Sequence, residues 1–174
     1  MSGLRAKGLG LIVALAVTAP VAAETIDRVL AVVAGQLIML SDVTAVRDLG
    51  IVAPTPGADA TESVLSKLID RELMLAEVDR YAPPEPETSE VDREAAAVRA
   101  RFPSEKAFDD VLARSGFDAA HVREIVRQNL RLRAYLDQRF VADGDAQRRQ
   151  KLIDDWVESL RRRSPVINLY TKGS

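Results

Sequence analysis

IDRVLAVVAGQLIMLSDV, Ile26 to Val43, carries two short apolar runs hinged at Ala34-Gly35 and closed by Ser41-Asp42. Ile26, Val29, Leu30, Val32 and Val33 stand on one side of the hinge; Leu37, Ile38, Met39 and Leu40 stand on the other. Glycine at position 35 can take the positive φ of a tight turn, so the pattern predicts a β-hairpin. Both faces of that hairpin are apolar and need cover. Ser41 or Asp42 is expected to cap a short helix that runs to Leu49 and stops at Gly50. Two strands alone are marginal in water, so a further strand is expected to join them.

Downstream of the hairpin the periodicity is helical. After a loop at 52–60, Thr61 is expected to cap a helix with Val64, Leu65, Leu68, Ile69, Leu73 and Ala76 on one face, widened by Met74, Leu75 and Val78. An apolar surface that wide predicts a central helix with more than one neighbour. Residues 82–90, APPEPETSE, form a proline-stiffened linker whose Ser89 is placed to cap the next helix. Three helices follow: one with Val91, Ala95, Val98 and Phe102; one with Phe108, Val111 and Leu112, between Pro103 and Gly116; and one from the cap Asp118 through Val122, Ile125, Val126, Leu132 and Leu136 to Phe140. A last helix with Leu152, Ile153, Trp156, Val157 and Leu160 ends at Ser164-Pro165, and VINLY, Val166–Tyr170, reads as a strand. The expected fold is mainly α: a helical core whose two ends are joined by a small sheet of the N-terminal hairpin and the C-terminal strand.

Residues 1–23 read differently. Arg5 and Lys7, the uncharged apolar run Gly8–Val17 and the small residues Val21-Ala22-Ala23 make the pattern of a cleaved secretory signal, too short to span a bilayer, with an N-terminal anchor as the alternative. Glu24 is then the expected mature N-terminus, and a periplasmic location follows. Setting 23 of the 174 residues aside leaves 151, with 22 basic and 26 acidic side chains and a net charge of −4. That balance argues against a nucleic-acid partner, and the absence of cysteine rests the fold on packing rather than disulfides.

The opening stretch resembles the start of the SurA-type periplasmic chaperones, with Asp27, Val29, Ala31, Val33, Leu37, Ile38, Ser41 and Asp42 at the places of that family's motif. LIDRELMLAEVDRY, 68–81, is similar to its next helix, and the last helix with VINLY is similar to its closing helix and strand. The resemblance implies an N-terminal part at 24–82, a helical region at 83–140 completing the chaperone core, and a closing helix and strand at 146–170 that pack back on the beginning. The hairpin departs from the family in having Ala34 where asparagine is common. The parvulin-type prolyl isomerase domain of such proteins has no counterpart, because only 141–145 lie where it would be inserted.

The residues offer little catalytic chemistry. His121 is the only histidine and has no partner evident in the sequence, there is no cysteine, and no phosphate loop or nucleophile motif occurs, so neither a catalytic centre, a metal nor a cofactor is expected. Asp109-Asp110 and Asp154-Asp155 are adjacent on helices and face different ways. Arg161-Arg162-Arg163 sits where cations complement a helix dipole, and Trp156 falls on a core face. Phe102, Phe108, Leu112 and Phe117 cluster on a small unit with little core of its own, which marks them as a client-contact surface. The resulting expectation is an exported, ATP-independent binding protein that holds unfolded or partly folded envelope proteins, outer-membrane proteins among them. The alternatives are an interaction subunit with one dedicated partner and, against the missing domain, a prolyl isomerase.

Overall fold

A computed structural model describes residues 27–141 and 144–172; the expected signal segment, 1–23, lies outside the described residues. The elements run β1 (Val29–Val33), β2 (Gln36–Met39), α1 (Leu40–Asp48), α2 (Ala60–Tyr81), α3 (Thr88–Arg99), α4 (Glu105–Ser115), α5 (Ala119–Arg139), α6 (Ala146–Arg163) and β3 (Val166–Asn168). The protein is mainly helical, with one antiparallel sheet in the order β2-β1-β3.

The hairpin forms as the opening stretch predicts, and the closing strand β3 joins it in the sheet. Ala34 and Gly35 both take positive φ, +49° and +87°, which gives the two-residue turn its hand. Glycine does this without strain; alanine does not, and it stands where asparagine would be better tolerated. β3 pairs with β1 in the register Val33 with Val166, Val32 with Ile167 and Ala31 with Asn168, and the Leu169 N–H extends the contact to the Leu30 carbonyl at 2.9 Å. Regular strand pairing stops at Asn168, short of the expected Tyr170. The Tyr170 hydroxyl lies 3.1 Å from Asp59 Oδ1 and so ties the tail to the start of α2.

Helix starts differ from expectation in three places. Helix α1 begins at Leu40, so Asp42 lies inside its first turn and its carboxylate reaches back to accept the Met39 N–H at 2.7 Å. Asp59, not Thr61, caps α2 by accepting the Glu62 N–H, and α3 starts after Glu87, one turn's edge before Ser89. Asp118 caps α5 as expected, accepting the His121 N–H at 2.9 Å.

Two apolar cores result. The first lies between the inner sheet face (Leu30, Ala31, Val33, Ile38) and helices α1, α2, α6 and the second half of α5, and includes Leu73, Tyr135, Trp156 and Leu160. Helix α2 is central, touching β1, β2, α1, α5 and α6, which accounts for its wide apolar surface. The second gathers Val91, Val98, Phe108, Val111, Leu112, Val122, Val126 and Leu130 around Leu49, from the end of α1. The closing arginines do more than complement a dipole: Arg161 binds Asp70 and Ser66, and Arg163 binds the buried Glu77, so they fasten α6 to α2.

Candidate functional site

The second core decides the fate of the expected aromatic surface. Phe108 is 2% exposed and Leu112 7%, and Phe102 meets Phe108 edge-on with ring centroids 5.4 Å apart. Phe102 and Phe117 are half-buried against the same core. The unit has more core than its own sequence suggests, because Leu49 and the inner face of α5 complete it, so Phe108 and Leu112 offer no surface to a partner. Phe117, at the α4–α5 turn, borders a large open cavity, whereas Phe108 only floors a smaller one of about 220 Å³ between α3 and α5.

That cavity is a groove of about 620 Å³ between β2, α1, α2 and α5. Ile38, Val46, Val52, Leu68, Ile125 and Leu132 supply its apolar walls, and Leu37 stands at its rim on the edge of β2. Helix spacing explains the α2 wall: Leu68 and Glu72, like Lys67 and Arg71, are four residues apart and share a face one turn above another. Arg71 is the polar centre, with its side chain only 14% exposed. Its Nη1 donates to Glu72 Oε1 at 2.7 Å, its Nη2 to Gln128 Oε1 at 2.7 Å and its Nε to Asn129 Oδ1 at 3.0 Å. The guanidinium is thereby held by α5 while staying charged.

Two of the groove's acids feel burial, while hydrogen bonds from Arg127 hold the third, Glu124, below its usual range. Desolvation pushes the Glu72 carboxyl above its usual range even though the adjacent Arg71 opposes it, and it raises Asp42 against the opposing Met39 N–H. Lys67, at the other end, donates to the Ala53 carbonyl at 2.7 Å and has no ion pair among the described residues. His121, expected to lack a partner, has one: its Nδ1 lies 2.8 Å from Asp118 Oδ1, and its ring packs on Phe117 at 5.2 Å. Hydrogen bonds from the His121 backbone and ring hold the Asp118 carboxyl below its usual range.

A histidine with an acid needs a nucleophile to make a hydrolytic centre. A second cavity of about 650 Å³ shares Asp42, Phe117 and His121 with the groove and brings Ser41 and Ser115 near. Both serines are committed elsewhere: Ser41 Oγ donates to Asp27, and Ser115 Oγ back-bonds to the Val111 and Leu112 carbonyls inside α4. Among the described residues no group of three or more histidine, cysteine or acidic side chains gathers as a metal site, and no helix is long and apolar enough to cross a membrane. The groove itself sets apolar walls about a fixed polar centre, Arg71, paired with Glu72.

Sequence reasoning missed this groove because its walls come from four elements. The one local signal was the pair Gln128-Asn129 within the arginine-rich run of α5, two amides with no role in a plain charged face. No protein-family model matches the chain, and no curated protein matches it.

Proposed function

We propose that this protein is an exported, ATP-independent holding chaperone of the SurA N-terminal kind without an isomerase domain, which binds unfolded or partly folded envelope proteins, including outer-membrane proteins, in the groove between β2, α1, α2 and α5. The observation that carries the proposal is the groove itself: about 620 Å³, open to solvent, walled by aliphatic side chains, and with its central Arg71 already neutralised by Glu72. Such a site suits apolar side chains of many shapes. Client binding is assigned to the groove walls rather than to the buried Phe108 and Leu112.

The test is light scattering of a urea-unfolded outer-membrane protein on dilution. Near-stoichiometric protein suppresses the scattering without nucleotide, and Val52→Glu, which places a charge on a half-buried groove wall, weakens the suppression. Unchanged scattering at a severalfold excess of the unmodified protein contradicts the proposal. A second reading, a subunit with one dedicated partner, draws on a different observation: Leu37 and Ile167, 57% and 56% exposed, flank Val32 across the outer sheet face. Pull-down from periplasmic extract separates the two, with many unrelated chains for the first and one for the second.

A further inference from the structure

The groove touches Gln36, Leu37 and Ile38, three consecutive residues of β2. Successive side chains of a strand point to opposite faces. A cavity that meets three in a row therefore meets the strand along its edge, and β2 is an edge strand of the sheet.

The register tells which backbone groups that edge presents. Val33 pairs with Gln36 across the two-residue turn, which makes them a hydrogen-bonded pair, so the next pair, Val32 with Leu37, points its N–H and C=O groups away from each other. Two bonds agree with this phase on the β1 side: the Ala34 N–H donates to the Pro165 carbonyl and the Leu169 N–H to the Leu30 carbonyl, both across to the β3 segment. On the β2 side the Met39 N–H, two residues on from Leu37, also turns outward and is taken by the Asp42 carboxylate. The N–H and C=O of Leu37 thus face the groove with no partner among the described residues, beside a half-exposed aliphatic side chain. Open backbone groups of this kind are complementary to one chemistry, the backbone of another extended chain.

We propose that the groove takes its client as an added β-strand, whose backbone pairs with the N–H and C=O of Leu37 and whose flanking side chains, at alternate positions, enter the apolar groove. This rests on the holding function proposed above and names the class of segment held: extended stretches with apolar residues at every second position, the pattern of membrane β-strands. Helical segments, whose backbone groups are internally satisfied, cannot use the edge.

The probe is an acetylated, amidated peptide of about ten residues alternating leucine and serine, compared with one of the same composition arranged at helical spacing, whose binding by fluorescence anisotropy should be about tenfold weaker because the edge hydrogen bonds are lost. At saturation with the alternating peptide, exchange of the Leu37 amide slows at least about tenfold by NMR. Leu37→Pro removes that N–H without touching the β1 ladder, which edge strands tolerate, and weakens binding by about tenfold, whereas Leu37→Ala weakens it less. Amide protection in the unmodified protein decides the matter if the proline variant does not fold. Binding of the alternating peptide with Leu37 exchange unchanged overturns the strand proposal and leaves the holding function standing. No binding of either peptide or of an unfolded outer-membrane protein overturns the holding function and this inference together. Protection of Leu37 without peptide that grows with protein concentration assigns the edge to a second copy and also overturns it.

Discussion

The core beneath the sheet is closed by joining residues near 30 to residues near 167, whereas the core of α3, α4 and the first half of α5 draws on 91–130 and borrows little more than Leu49 and Ile51 from outside. The first spans most of the chain, but the entropy of closing a loop grows only slowly with its length, so the cost of that span is modest. The second draws on a shorter span but also closes through separated elements, with α3 packed on α5 and α4 on α1. Helix α5 belongs to both: Val122, Val126 and Leu130 face the local core, and Ile125, Leu132 and Tyr135 face the other. The groove runs where they meet, with β2 and α2 from one and Phe117 from the other. Two units of different origin, seated on one shared helix, leave an open apolar seam that a single interlocked core would have filled.

The largest expected effect breaks the local core. Phe108→Ala removes a fully buried ring and should cost about 3–5 kcal/mol, read as denaturant melts. Exchange protection should fall in α3 and α4 before it falls in β1; equal loss in both would mean that the two cores are one cooperative unit. Deleting Val166–Tyr170 asks the converse. A few ladder hydrogen bonds at roughly 1 kcal/mol each put the cost at about 2–3 kcal/mol, with Val29–Val33 amides exposed and α3–α4 protection retained. An unchanged melting midpoint with β1 equally protected would mean that something other than β3 holds the hairpin.

How much of this was legible in the sequence follows the same division. The hairpin, the closing strand and the wide face of α2 were legible because period and turn chemistry are local signals, as was the Asp118 cap. Asp59 and Thr61 are both good caps, and propensity does not say which carboxylate or hydroxyl will find the Glu62 N–H. Phe108 was misjudged for a different reason: its burial depends on Leu49, 59 positions earlier, and nothing in the α4 segment announces that neighbour. The groove is hidden for the same reason, since Leu37, Arg71 and Asn129 meet only after α2 and α5 pack.

A smaller effect sharpens the first region. Ala34 sits at φ +49°, where a side chain with a Cβ costs about 1–2 kcal/mol relative to the right-handed region. Ala34→Asn should recover about 0.5–1 kcal/mol of this by forming the favoured Asn-Gly turn, seen as a raised melting midpoint; a lowered midpoint would contradict the turn geometry.

The smallest expected effect is the pH dependence. Burial raises Glu72 and Asp42, so between the ordinary carboxylate range and their raised values the folded protein holds protons that the unfolded chain has released, and stability falls as pH rises through that window. Backbone bonds lower Asp59 and Asp118, whose contributions are present above the ordinary range and lost as pH falls through their folded values. The melting midpoint should therefore rise as pH falls from neutral toward the carboxylate range and drop below it. Glu72→Gln should flatten the rise and leave the drop. A rise of the same size in that variant would remove Glu72 as its source.

Site-specific photocrosslinking tests whether the seam between the two cores holds unfolded chains. A crosslinking residue is placed at Leu37, at the groove's rim, and in a separate protein at Leu152, another exposed apolar position, on α6 outside it. Each is irradiated with a urea-unfolded outer-membrane protein just after dilution. An adduct is expected from Leu37 and little from Leu152; equal yields from both, or an adduct from Leu152 alone, would contradict client binding in the seam.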